Sequence, residues 1–155
     1  MNPFVEIENV TLSYSDELRE PAVQDLSISI EEGEFSAVVG PSGCGKSTLM
    51  KLVTGLLFPQ AGQVRVDGAQ VDSPLKIAGM AFQNPVMLPW RKTLENLLLP
   101  LEIVSPHRER LRKEKKAYHQ QAEELLKTVG LEGCVDQYPW QLSGGMQQRA
   151  SLCRA

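Results

Sequence analysis

The chain has 155 residues and a mass of 17.2 kDa, enough for one domain with a real core, and its 42% apolar content with 12 glycines excludes a disordered or collagen-like polypeptide. Sixteen basic against nineteen acidic residues leave a formal charge of −3 and a pI near 5.4, a balance that supplies no field to hold a polyanion and argues against sequence-independent binding of DNA or RNA. No apolar run reaches the ~18 residues of a membrane-spanning helix, the acidic opening Met1-Asn2-Pro3-Phe4-Val5-Glu6-Ile7-Glu8 lacks the positive charge of an export signal, and Cys44, Cys134 and Cys153 are spaced for neither a disulfide framework nor a zinc site, so a cytosolic protein with reduced thiols is expected.

Val5 and Ile7 alternate, then Val10, Leu12 and Tyr14 do so after a one-residue slip in phase, which predicts a strand with a bulge at Glu8-Asn9. Leu26, Ile28 and Ile30 alternate again and run into Glu31-Glu32-Gly33-Glu34, which predicts a turn into a second antiparallel strand over Phe35 to Val39. Ala37-Val38-Val39 is continuously apolar, the pattern of a central strand buried on both faces. Leu49, Leu52 and Val53 give Lys46 to Gly55 a helical pattern. Val64-x-Val66 before Asp67-Gly68 reads as a strand entering a hairpin, and Ile77 to Phe82 as another strand.

After about Pro89 the composition turns to Leu, Glu, Lys and Gln, and the chain becomes helical. One helix is expected over Leu94 to Leu99, stopped by Pro100, and a longer one from His107 to Val129, closed by Gly130, with Leu111, Tyr118, Ala122, Leu125 and Val129 on one face. The candidate joints are Asp16 to Gln24, Asn84 to Thr93 and Ser105-Pro106. The basic run Arg108 to Lys116 has interspersed acids at helical spacing, which describes a solvated helix face rather than a nucleic-acid patch. His107 and His119 stand in no metal or catalytic pattern.

Two segments carry chemistry. Gly40-Pro41-Ser42-Gly43-Cys44-Gly45-Lys46-Ser47-Thr48 fits G-x-x-x-x-G-K-[ST] at every fixed position, in the context the motif requires, with a buried strand expected before it and a helix after it. Bare glycines let successive backbone amides close around a phosphate, the helix start adds the positive end of its dipole, Lys46 offers an ammonium and Ser47 a hydroxyl for Mg²⁺. Cys44 contributes its backbone to that loop, so no nucleophilic role is expected of it. A hundred residues on, Leu142-Ser143-Gly144-Gly145-Met146-Gln147-Gln148-Arg149 places a good N-cap and two bare amides at another helix start. Alone, that second segment reads equally well as an anion site or as an ordinary capped helix.

Together the two motifs make the chain, from Val5 to Ala155, resemble the nucleotide-binding subunit of ATP-binding-cassette (ABC) transporters, in which a phosphate loop is followed about a hundred residues later by an LSGGQ-type signature, here with Met146 at the fifth position. The resemblance implies an α/β P-loop NTPase core with an N-terminal antiparallel β subdomain, over 1–88, and a helical subdomain with the signature, over 89–155. It implies ATP and Mg²⁺ as ligands, held by Gly40 to Thr48, with Tyr14 stacking on adenine, and with Gln83, in Ala81-Phe82-Gln83-Asn84, beside the metal and the attacking water. Lys46 and Gln83 would then be catalytic, Ser47 and Gln83 the metal-binding pair, and Leu142, Ser143, Gly144, Gly145, Met146 and Gln147 the signature presented to the nucleotide of a second copy.

The stretch Phe82-Gln83-Asn84-Pro85-Val86-Met87-Leu88-Pro89-Trp90, followed by Thr93-Leu94-Glu95-Asn96, looks like the importers of nitrate, sulfonates, taurine and thiamine-precursor pyrimidines. That resemblance implies a permease partner docked on exposed Met87, Leu88 and Trp90, an indirect partner in a periplasmic or lipoprotein substrate-binding protein, no nucleic acid, and a peripheral place on the cytoplasmic face of the membrane. Packing of those three residues between subdomains is the alternative. So, for the whole chain, are a cassette ATPase acting on DNA or ribosomes and an inactive nucleotide-binding remnant. In the family an apolar strand ending in Asp, a catalytic Glu and a switch His follow the signature. Their sequence positions lie past Ala155, so the chain is expected to be an amino-terminal piece that hydrolyses ATP poorly by itself and is only marginally stable.

Overall fold

A computed structural model describes residues 3–14, 21–105 and 107–155. The joint expected over 16–24 falls largely outside the described residues, and Pro106 wholly so. The chain forms two compact units, residues 1–78 and 79–155.

The first unit is a four-stranded antiparallel sheet in the order β2-β1-β3-β4, formed by β1 (Val5–Leu12), β2 (Val23–Ile30), β3 (Ala61–Val66) and β4 (Ala69–Gln70). The expected bulge is present: the β1–β2 register shifts between Ile7 and Val10, and Asn9 takes a φ of 49°. Its amide donates to Ser27 Oγ at 2.9 Å and its side chain to Asp25 Oδ1 at 3.0 Å, which satisfies the groups that the bulge takes out of the ladder. The slip turns Ile7 and Val10 to the same face, so Val5, Ile7, Val10 and Leu12 all enter one core with Val64, Val66 and Val71. Helix α1 (Lys46–Val53) closes that core with Leu49 and Leu52. Leu52 is fully buried, and cutting it to Ala costs about 2–5 kcal/mol. Asp67 and Gly68, both at positive φ, form the turn between β3 and β4, as Asp-Gly predicts.

Two expected strands are not formed. Phe35 to Val39 has no regular structure, with Phe35 94% and Val39 90% exposed. Ile77 to Phe82 is likewise irregular, and both of its end residues are exposed. An apolar run becomes a doubly buried strand only when strands pair with both of its edges, and among the described residues no strand pairs with either segment.

The second unit holds α2 (Thr93–Ile103), α3 (His107–Lys113), α4 (Lys115–Thr128) and α5 (Gly144–Arg154), with short 3₁₀ turns at Glu132–Cys134 and Pro139–Gln141. Leu94, Leu97 and Leu98 meet Ala122, Leu126, Leu131, Cys134, Leu142 and Ala150 in its core. Pro100 does not stop α2, which continues to Ile103 with the Val104 amide donating to Pro100 O at 3.0 Å. A proline forfeits its own amide bond, but one more turn remains worthwhile because Leu101 packs on the core. The single helix expected from His107 to Val129 breaks at Glu114 (φ −118°, ψ 32°), and within the second piece Leu125 and Leu126, three and four residues after Ala122, are both compatible with helical spacing. Stepping from Tyr118 reaches Ala122, Leu126 and Val129, so Leu126 is fully buried, whereas Leu125, the residue expected inside, is 49% exposed. The basic α3 has no buried residue, as a solvated face should.

Candidate functional site

The glycine-rich loop leads straight into α1. Its N-cap, Gly45, sits in the left-handed region (φ 92°, ψ 2°) and supplies no side-chain cap. The first intrahelical bond runs from the Leu49 amide to Gly45 O at 2.9 Å, so the amides of Lys46, Ser47 and Thr48 precede the ladder and carry the positive end of the helix dipole. Only glycine fits at position 45: besides its φ, a Cβ there would stand 2.5 Å from the carbonyl oxygen of Ala22. Gly43, at φ 85°, makes the preceding bend.

Lys46 folds back over this loop. Its Nζ donates to Gly40 O at 2.9 Å and to Pro41 O at 2.6 Å, and lies 3.7 Å from Cys44 Sγ. The ammonium is therefore held at the mouth of the loop by two carbonyls that an incoming anion must outcompete. Ser42 and Ser47 are exposed, and so is Cys44. Thr48 is buried, and its Oγ1 lies 3.0 Å from the hydroxyl of Tyr14, whose side chain is 55% exposed. Tyr14 is thus tethered to the same helix start that carries the loop amides, a contact across 34 residues that no local pattern announces. The loop and Tyr14 come together in the first unit.

Gln83 belongs to the second unit, exposed in an irregular segment and not at the end of a strand. Of the three apolar residues expected at the surface beside it, Met87 packs on the helical core and Leu88 is half-buried. Trp90 is 70% exposed, and Val86, at 57%, takes the place of the other two.

The signature lies at the start of α5. Ser143 is the N-cap, its Oγ accepting from the Met146 amide at 3.3 Å. A Cβ on Gly144 or Gly145 would meet nothing within 4 Å, and neither glycine has positive φ, so the local fold itself asks for glycine at neither position. Bare backbone at an exposed helix start is what a closely approaching partner requires. Leu142 is buried in the core and Met146 packs against it. The side chain of Gln147 turns back, its Nε2 donating to Pro139 O at 2.8 Å and Leu142 O at 3.2 Å. It is engaged inside the chain, and the helical pattern gives no sign of that.

No group of His, Cys, Asp and Glu among the described residues could hold a metal by itself.

Comparison with known proteins gives a consistent result. The family model described as ABC transporter matches residues 23–155. The chain is 40% identical over 152 residues to an uncharacterized ABC transporter ATP-binding protein of Methanocaldococcus jannaschii, covering 97% of this chain and 54% of that protein. It is 39% identical over 142 residues to the taurine import ATP-binding protein TauB of Escherichia coli K12, covering 92% of this chain and 53% of that one. Among solved structures, a dimeric ATP-binding cassette in a post-hydrolysis state with ADP and Pi superposes with a TM-score of 0.80 at 32% identity, over 97% of this chain and 68% of that chain. The chain spans about half the length of the curated relatives it matches.

Proposed function

The chain belongs to the ABC transporter family of ATP-binding domains, and on that premise we propose that it binds MgATP between its own phosphate loop and the signature of a second copy, as the motor part of an importer. The observation that carries this reading is the start of α1, where three uncapped amides and the Lys46 ammonium converge on one exposed loop. Gly40 to Thr48 would wrap the phosphates, with Lys46 exchanging the carbonyls of Gly40 and Pro41 for the terminal phosphate oxygens. Tyr14, held at the helix start by Thr48, would offer its ring to the base. Mg²⁺ would arrive with the nucleotide and offset the charge of its phosphates, with the Ser47 hydroxyl and the Gln83 side chain as the protein ligands this reading assigns to it.

The open glycines of the signature support a head-to-tail arrangement. Ser143, Gly144 and Gly145 present an N-cap hydroxyl and bare amides, fitted to the γ-phosphate held by another copy's loop. Triphosphate then bridges two copies, and its cleavage by an in-line water removes the bridge, so that opening and closing follow nucleotide state.

An importer reading is supported by the likeness to a taurine import subunit and by Trp90 and Val86, exposed apolar side chains suited to a permease at the cytoplasmic face of the membrane. The net charge of −3 disfavours nucleic acid as the load. The test is a titration of the chain with MgATP, MgAMP and inorganic phosphate, followed by sizing. Triphosphate-selective binding and a nucleotide-dependent dimer are expected; equal response to all three anions would overturn the proposal.

A further inference from the structure

In the helical core two polar side chains are wholly excluded from water, Thr93 and Asn96, one turn apart at the start of α2. A primary amide is costly to bury unless it is saturated, and Asn96 is. Its Oδ1 accepts from the Leu88 amide at 2.7 Å, while its Nδ2 lies within bonding distance of three carbonyl oxygens, those of Leu88 at 3.1 Å, Arg91 at 3.0 Å and Lys92 at 3.1 Å. One side chain thus holds the whole turn that presents Trp90.

The hydrogen bonds do not end there. The amide and hydroxyl of Thr93 donate to Gln137 O at 2.8 and 2.9 Å, and the Leu94 amide donates to Val135 O at 3.2 Å. From Gln137 the chain enters the 3₁₀ turn at Pro139–Gln141, where the Leu142 amide donates to Pro139 O at 3.1 Å. Gln147 then ties Pro139 and Leu142 to the first turn of α5, next to the Ser143 cap. Hydrogen bonds at Asn96, Thr93 and Gln147, linked by short stretches of backbone along α2 and from Gln137 to Pro139, therefore join the turn of an exposed tryptophan to the exposed amides of the signature. A fold needing only cohesion could fill the Asn96 site with an apolar residue; saturated polar groups fix geometry instead.

We infer that Asn96 and Gln147 are positioning residues that make the Trp90 turn and the signature turn move as one, so that a load on Trp90 is felt at the amides of Gly144 and Gly145. The inference rests on the reading of Trp90 as a docking residue and of the signature as a phosphate contact. It specifies how the two would communicate: through α2 and the 3₁₀ turn. A double-mutant comparison measures the coupling directly.

Amide hydrogen exchange on the full chain, read separately over 85–92, 143–147 and, as reference, 115–128, decides it without any ligand. Pro89→Gly loosens the exposed end of the turn without emptying the core. It should speed exchange at least threefold over 85–92 and also over 143–147, leaving 115–128 unchanged. Gln147→Met, similar in volume and without donors, should by itself speed 143–147, and in its presence Pro89→Gly should add nothing there while still acting on 85–92. Acceleration confined to 85–92, a uniform rise including 115–128, or an undiminished effect of Pro89→Gly in the Gln147→Met background would each overturn the inference. Because no nucleotide or permease enters the measurement, a failure of coupling is distinguishable from a failure of the functional reading, which MgATP titration tests.

Discussion

Lys46→Ala is the substitution whose consequences the structure defines most closely. The ammonium donates to Gly40 O and Pro41 O at 2.9 and 2.6 Å, bonds made at an exposed loop and replaced by water when the side chain is removed. The unliganded chain should therefore change stability by no more than about 0.5 kcal/mol, as surface substitutions do. Binding should change far more, because a charge-assisted hydrogen bond to phosphate contributes about 1.5–3 kcal/mol, which is roughly a 10- to 150-fold loss of affinity. MgATP at roughly 100 times the wild-type Kd stabilises by about 2.7 kcal/mol; at that same concentration the variant keeps only about 0.3–1.3 kcal/mol. In a thermal-shift assay the wild-type gain is about 5–11 °C if the chain melts cooperatively, and that of the variant less than half as much. A variant that retains the full MgATP shift, or a wild-type chain that gains as much from MgAMP, would refute the reasoning.

Gly45→Ala should be worse for folding than for any single contact: a left-handed φ and a Cβ 2.5 Å from Ala22 O predict a loss of about 1–3 kcal/mol in urea denaturation together with lost MgATP binding. Ser143→Ala removes the cap on α5 and should cost about 1 kcal/mol, seen as faster exchange of the Met146 amide. Burial pushes the Cys153 thiol up, so less of it is thiolate at pH 8 and its alkylation should lag behind that of exposed Cys44, with a rate profile displaced to higher pH. MgATP should protect Cys44 from alkylation and leave the rate at Cys153 unchanged, checked by mass spectrometry of each labelled peptide.

Much of the first unit could be read from residue order because its signals are local. The slip from Ile7 to Val10 located the bulge, Asp67-Gly68 the hairpin, and Gly45-Lys46 the helix start, each set by backbone sterics within a few residues. Phe35 to Val39 and Ile77 to Phe82 misled for the opposite reason: apolarity shows that a segment can be buried, but pairing depends on strands elsewhere. The helical half was misread where spacing is ambiguous or a break is tertiary: Leu125 and Leu126 stand three and four residues after Ala122, so either fits one face, Glu114 divides the long helix, and Pro100 was carried inside α2 by the packing of Leu101. The backbone shape of the glycine-rich loop was legible because it is main-chain geometry at fixed spacing. The bond from Tyr14 to Thr48, the saturation of Asn96 and the inward turn of Gln147 are tertiary, and the sequence alone does not encode them in any short pattern.

The claim beneath the rest is that uncapped amides at the start of α1 receive a polyphosphate. Backbone amide NMR during titration with MgATP tests it at the atoms concerned. The largest shift changes should fall on Gly43, Gly45, Lys46 and Ser47 and should saturate at nucleotide concentrations where inorganic phosphate produces none. Changes spread evenly over the chain, or reproduced by phosphate alone, would contradict it.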